Sequence, residues 1–283
     1  MVPFLARLLG RPRWGIYVLA NDAVMEWVLA LFESLRIYGP ELPLLVIPYD
    51  DRQNVLRERL SRAGYGYLEH PEIERYHQIG SRLYPNEEFC ARGFRKLASF
   101  SGPFQRFFFI DSDVVALAPL AEMCAALNRS KDDIVYFDIH PTHYQPGSAF
   151  SSYAIGRKEF NGGLWVGRRG ALDSKRFEAS VAKLGENWRE HLAPIAEQPF
   201  LNFVAADLDL KTAGAADYVA DACSTVWPAV GRIVNEGSAW RLHDSTHPHV
   251  GRRFLFAHWA GFQLTPDMPN RDVWENFRTR AGV

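Results

Sequence analysis

The chain reads as an α/β protein whose mostly parallel central sheet is flanked by helices, and three observations carry that reading. From Gly15 onward, short apolar runs alternate with longer amphipathic ones, the order of β-α-β-α units. Residues 107–110 (FFFI) have no helical period and are too few for a core helix, so they form a strand covered on both faces, as parallel sheets require. Acid follows at once, Asp111-Ser112-Asp113, at the strand end where open α/β sheets bind ligands.

Taken in order, residues 15–20 (GIYVLA) form a strand and residues 22–38 a helix, with Asp22 as its N-cap and Gly39-Pro40 as its stop. Residues 42–48 (LPLLVIP) give the second strand, and residues 54–63 a helix ended by Gly64. A short strand at 66–68 and a helical segment at 86–100 lead into FFFI. Beyond the acidic turn, residues 119–127 read as a helix, with Pro119 suited to its first position. Residues 133–139 (DIVYFDI) and 162–167 (GGLWVG) read as strands. The polar loop 140–152 between them is long enough to be functional. A helix at 175–192 and a cluster of short elements follow, ending in the strand 254–259 (FLFAHW). No internal repeat, low-complexity tract or linker interrupts the chain. One domain is expected over residues 1–283, with 1–13 as an N-terminal extension and 263–283 as a C-terminal tail.

The whole-chain balance narrows the function. With 283 residues, 47% of them hydrophobic and 13% aromatic, the chain can bury a sizeable core. Its 32 basic and 33 acidic residues form no block able to track a phosphate backbone, so nucleic acid is not an expected partner. Cys90, Cys124 and Cys223 lack zinc-site spacing and are odd in number, as reduced cytoplasmic thiols would be. The opening MVPFLARLLGRPRW carries Arg7, Arg11 and Arg13 beside an apolar stretch too short to span a bilayer. At most a peripheral contact at the inner membrane face is expected.

Five local features carry chemistry. In an extended Asp-x-Asp, both carboxylates project the same way and Ser112 points opposite. Two hard anionic oxygens at one strand end suit Mg²⁺ or Mn²⁺, although Asp and Ser also close strands through turn preference alone. Arg95-Lys96-Leu97 precedes the same strand and offers a cation for phosphates held by such a metal; a solvated helix face is its ordinary alternative. Phe160-Asn161-Gly162-Gly163 lets backbone approach a ligand and offers an amide to a sugar hydroxyl, or is a plain turn. Glu197-Gln198-Pro199 either opens an apolar helix or lines a polar sugar pocket. His258 closes an apolar strand, where it is a core histidine or the imidazole of a carboxylate-rich Mn²⁺ site.

Read together, VLANDA (18–23), RKL (95–97), FFFIDSDVVAL, FNGGLWVG (160–167), EQPFLN (197–202) and FAHWAG (256–261) resemble the family 8 retaining glycosyltransferases, of the glycogenin and bacterial lipopolysaccharide galactosyltransferase type. The resemblance spans roughly residues 14–262. It implies a single GT-A domain, a nucleotide-sugar donor, usually a UDP-sugar, and transfer with retention to a glycan, lipid or protein acceptor. It also implies that Asp111, Asp113 and His258 bind Mn²⁺ (or Mg²⁺), with Ser112 and Gly261 in the same donor site. Leu19, Asn21 and Asp22 would hold base and ribose, Lys96 would stand near the donor, Asn161 and Gly162 would touch the sugar, and Glu197 with Gln198 would flank the reacting carbon.

Two positions depart from the family pattern. Where the motif His-x-x-Gly-x-x-Lys places a diphosphate-binding lysine, this chain has Leu264, with Arg252 and Arg253 upstream as substitutes. Glu197 replaces a shorter aspartate. These departures leave a non-catalytic relative, binding a nucleotide-sugar or a partner without turnover, as the alternative. A sugar-1-phosphate nucleotidyltransferase would need a Gly-rich phosphate loop after the first strand, and VLANDAVMEW has none. Retention would arise by same-face attack or by a covalent intermediate on Gln198 or Glu197, and an inverting enzyme would use Glu197 or Asp138 as base. Trp227, Trp240 and the loop 140–152 are the candidates for acceptor contact.

Overall fold

Strands buried on both faces set the architecture. In the computed structural model, which describes residues 13–140, 143–219, 222–225, 231–243 and 250–282, strand β1 (Trp14–Ala20) is buried at every position. Helix α1 (Met25–Tyr38) follows a 3₁₀ turn at Asp22–Val24, so Val24 and not Asp22 is its N-cap. The three residues Asp22–Val24 wind too tightly to join the α-helical ladder. Next come β2 (Leu44–Pro48), α2 (Asn54–Ala63) and β3 (Gly66–Tyr67). Gly64 ends α2 in the left-handed region, φ 71°, a cap that favours glycine.

Helix α3 (Glu72–Leu83) is an element the sequence reading passed over. It buries Ile73, Tyr76 and Ile79 on one face, a helical spacing masked by the charged residues between them. The segment expected to be helical over 86–100 divides into α4 (Glu88–Gly93) and a 3₁₀ stretch, Phe94–Ser101. Strand β4 (Arg106–Asp111) is the FFFI strand, fully buried until its last residue. It is followed by β5 (Val114–Ala116) and by α5 (Leu120–Leu127), where Pro119 is the N-cap rather than the first helical residue.

The chain continues through β6 (Ile134–Tyr136), β7 (Leu164–Arg168) and α6 (Ser174–Val181), whose cap is the Asp173 carboxylate accepting from the Arg176 N–H. The helix expected to reach residue 192 stops there, because the coil tightens over Ala182–Leu184 and Gly185 turns to φ 68°. Then come α7 (Gln198–Asp207), β8 (Thr212–Gly214), β9 (Ala222–Thr225), β10 (Arg232–Asn235), β11 (Trp240–His243), β12 (Arg253–His258) and α8 (Arg271–Arg280).

These elements form two compact units. The first holds β1, the segment Pro43–Ile110 and the segment Lys131–Ala213. Its seven-stranded sheet, in the order β3-β2-β1-β4-β7-β6-β8, is mostly parallel, with β7 reversed between β4 and β6. The expected α/β class is therefore borne out. Its core is aromatic, with Phe94, Phe100, Phe104, Phe107, Phe109 and Trp165 all without exposed surface.

The second unit combines Asp22–Leu42, Asp111–Ser130 and the chain from Gly214 onward. Its sheet has the order β10-β11-β12-β5, with β9 also on β12. Helix α1 packs on β5 and on α8, which buries Val273, Trp274 and Phe277. The last stretch of the chain is thus a packed helix. Trp240 belongs to this core and donates to the Tyr38 hydroxyl at 3.1 Å, so it is not an acceptor platform. Arg7, Arg11 and Trp227 lie outside the described residues.

Candidate active site

The second unit brings together the three metal-ligand candidates. Strand β4 ends at Asp111, the chain turns at Ser112 and Asp113, and β5 begins at Val114. Antiparallel pairing of β5 with β12 sets His258 opposite Val114, and the Trp259 N–H donates to the Asp113 carbonyl at 3.0 Å. That register carries the imidazole ring to the acidic turn across the sheet. One ligand atom from each of Asp111, Asp113 and His258 lies within 4.8 Å of the others. His258 Nε2 is 3.3 Å from Asp113 Oδ1, with the imidazole buried and the carboxylate one-quarter exposed. Two carboxylates and one imidazole fit a hard divalent cation.

The first unit holds a buried polar cluster. Lys96 Nζ is 2.8 Å from Glu197 Oε1 and donates to the Gly162 carbonyl at 3.2 Å, with both side chains almost wholly buried. It also stands over the Phe109 ring, 5.1 Å from its centroid. The Gly162 N–H donates to Gln198 Oε1 at 2.6 Å, and the Gly163 N–H to Asn161 Oδ1 at 2.7 Å. Asn202 staples the same turn to α7, accepting from the Phe160 N–H and donating to the carbonyls of Phe160 and Gln198. Lys96, Asn161, Gly162, Glu197 and Gln198 therefore meet in one network.

Two glycines fit closely against it. A Cβ at Gly162 would lie 3.1 Å from both Glu197 Oε1 and Gln198 Cβ, and one at Gly93 would lie 2.6 Å from Glu197 Oε2. Gly162→Ala is expected to lose roughly 1–3 kcal/mol of stability by overpacking. Urea unfolding measures this, and an unchanged midpoint would mean that the pocket yields without cost.

At the end of β1, Leu19 packs into the core and Asn21 is buried, donating to Asp50 Oδ2 at 2.9 Å. Asp50 also accepts from Arg52 at 2.7 Å and Arg92 at 3.1 Å; burial pushes its carboxyl up, but the bonds from Arg52 and Asn21 outweigh it and hold the carboxyl below the usual range. Asp22, in the second unit, opens the 3₁₀ turn and is partly buried. Asp50 had no signal in the sequence beyond its place after a strand.

Leu264 and Arg253, the positions weighed for a diphosphate-binding cation, both make other contacts. Leu264 packs against the core of the second unit, and Arg253 donates to Glu122 Oε2 at 2.6 Å. Gly261 sits at φ 77°, a left-handed turn that a side chain would strain. His143, which no sequence motif singles out, is fully buried and meets Gln198 at 2.7 Å. The length of the loop 140–152 admits a function, but nothing in its pattern points to that histidine.

No protein-family model matches the chain, and a search of curated proteins finds no match. Solved structures do match. The galactosyltransferase LgtC in complex with donor and acceptor sugar analogs aligns with TM-score 0.56 and 12% identity over 95% of this chain and 95% of that one. An active site mutant of LgtC aligns with TM-score 0.55 and 13% identity, again over 95% of each chain. The apo bifunctional glycosyltransferase WbbM aligns with TM-score 0.58 and 12% identity over 94% of this chain and 50% of its own. At these identities the likeness is one of fold, and the fold of this chain is the GT-A fold of those glycosyltransferases.

Proposed function

We propose that this protein is a metal-dependent glycosyltransferase that moves a sugar from a nucleotide-sugar, a UDP-sugar, to a glycan, lipid or protein acceptor with retention. The observation that carries the proposal is the convergence of Asp111, Asp113 and His258 within 4.8 Å on a fold shared with galactosyltransferase LgtC. A divalent ion, Mn²⁺ in this reading, would neutralise the leaving diphosphate as the sugar develops positive charge. Asp111 and Asp113 would supply oxygen ligands, and His258, held by the β5–β12 register, would supply the nitrogen.

The assignment of Lys96, Asn161, Gly162, Glu197 and Gln198 to the sugar of the donor belongs to the same proposal. Lys96 balances the Glu197 carboxylate at 2.8 Å, which weakens that carboxylate as a nucleophile. Gln198 spends its oxygen on the Gly162 N–H at 2.6 Å, and an amide is a poor nucleophile. Both contacts favour same-face attack, in which the departing phosphate takes the acceptor proton and no sugar–protein bond forms. Asn21, anchored by Asp50, is assigned to the base and ribose with Leu19 and Asp22.

Among the described residues no helix is long and apolar enough to cross a membrane. The cytoplasmic location read from cysteine usage belongs to the same proposal. Calorimetric titration with UDP, with and without Mn²⁺, tests it, and GDP serves as the base control. UDP is expected to bind only with metal and more tightly than GDP. Absence of binding by either nucleotide in the presence of Mn²⁺ would overturn the donor site and leave the non-catalytic reading.

A further inference from the structure

The chemistry of its two partners sets the orientation of the Gln198 amide. The Gly162 backbone N–H can only donate, so the Gln198 atom 2.6 Å away is the oxygen. The nitrogen end, a donor, lies 2.7 Å from His143 Nε2, so that ring nitrogen accepts and carries no proton. His143 is therefore the neutral Nδ1–H tautomer. Its Nδ1 stands 3.2 Å from Glu159 Oε2, and its own backbone N–H donates to that same oxygen at 2.6 Å. Glu159 thus holds the residue through its backbone N–H, while the ring Nδ1 stands beside the same oxygen without hydrogen-bond geometry.

Burial and the stacked ring of His140, 5.1 Å away, bring the His143 pKa down to about 3, so the accepting nitrogen stays bare through the neutral range. A proton on it would set N–H against N–H at Gln198, and flipping the amide would only transfer that clash to the Gly162 N–H.

We propose that His143 is a positioning residue whose Nε2 lone pair locks the Gln198 amide in the pocket of the reacting sugar. The assignment of that pocket rests on the function proposed above; the lock itself can be measured without turnover. An amide released from one partner can rotate, and misplacement by about 1 Å near reacting atoms costs on the order of a hundredfold in rate.

The test uses His143→Phe, which fills the buried slot without an acceptor, and His143→Gln, which returns an acceptor oxygen at similar reach. In ¹⁵N-glutamine-labelled protein, with the Gln198 side-chain signal assigned by its loss in Gln198→Met, slow hydrogen exchange is expected for wild type and His143→Gln. Fast exchange is expected for His143→Phe. Affinity for UDP with Mn²⁺ should stay unchanged in both, while kcat for UDP-galactose or UDP-glucose hydrolysis falls roughly a hundredfold in His143→Phe with little change in KM, and His143→Gln recovers most of it. Unchanged Gln198 exchange in folded His143→Phe, or equal kcat losses in both variants, overturns the proposal. Should His143→Phe not fold, the wild-type imidazole ¹⁵N shifts decide: a proton on Nδ1 alone supports the lock and one on Nε2 overturns it. If wild type binds no UDP, the functional reading fails while the exchange and imidazole measurements still judge the lock.

Discussion

Asp113→Ala abolishes Mn²⁺-dependent UDP binding and leaves the fold intact: that is the expected result with the largest effect. The substitution removes one of two oxygen donors from a three-residue site, and no nearby carboxylate in that cluster replaces it. Changes merely behind metal ligands cost about 10–100-fold in affinity, so losing a ligand should cost at least about a hundredfold. Stability should survive for three reasons. The side chain is one-quarter exposed, so no sealed cavity forms. Its structural contact to the Trp259 N–H is made by the backbone carbonyl, which alanine retains. Removing one of two neighbouring carboxylates also relieves their mutual repulsion when no cation is bound. Calorimetry with UDP and Mn²⁺, alongside thermal unfolding, measures both halves. Wild-type, metal-dependent affinity in Asp113→Ala would refute the assignment of the site.

Lys96→Met should destabilise the protein by about 3–5 kcal/mol, the usual cost of stranding one partner of a buried ion pair. Glu197 would keep a buried carboxylate whose cation, 2.8 Å away, had gone, and Gly162 would lose the donor to its carbonyl. The close fit at Gly93, where a Cβ would stand 2.6 Å from Glu197 Oε2, shows how little room the carboxylate has to turn elsewhere. Adding Glu197→Gln should restore most of the loss, because a neutral pair no longer asks a low-dielectric site to hold charge. Stability and function should then separate: the double variant unfolds near the wild-type urea midpoint but turns over no donor. Equal unfolding midpoints for wild type and Lys96→Met would show that the pair carries no net stability.

The legible part of the fold was the part written in local pattern. Residues 15–20 and 107–110 read as strands because every position is apolar, and α2 read correctly because Gly64 marks its end. Helix α3 was passed over because charged residues separate Ile73, Tyr76 and Ile79 in sequence while the helix gathers them on one face. The single long helix expected at 175–192 failed at Gly185, whose left-handed turn a helical pattern of neighbours conceals.

By its own pattern the sequence determined that a buried strand ends in two carboxylates, that acid, amide and glycine motifs follow it, and that the class is α/β. Tertiary structure alone decided which of these residues meet. His258 reaches Asp113 because β12 pairs antiparallel with β5 in one register, and a slip of one residue would turn the imidazole to the other face of the sheet. Gln198 meets His143 across 55 residues because the fold buries that one histidine of a largely exposed loop beside the Gln198 amide, where a ring nitrogen without a partner would cost free energy. Local periodicity reports which residues leave water; hydrogen-bond partners depend on strand register and on what else is buried beside them.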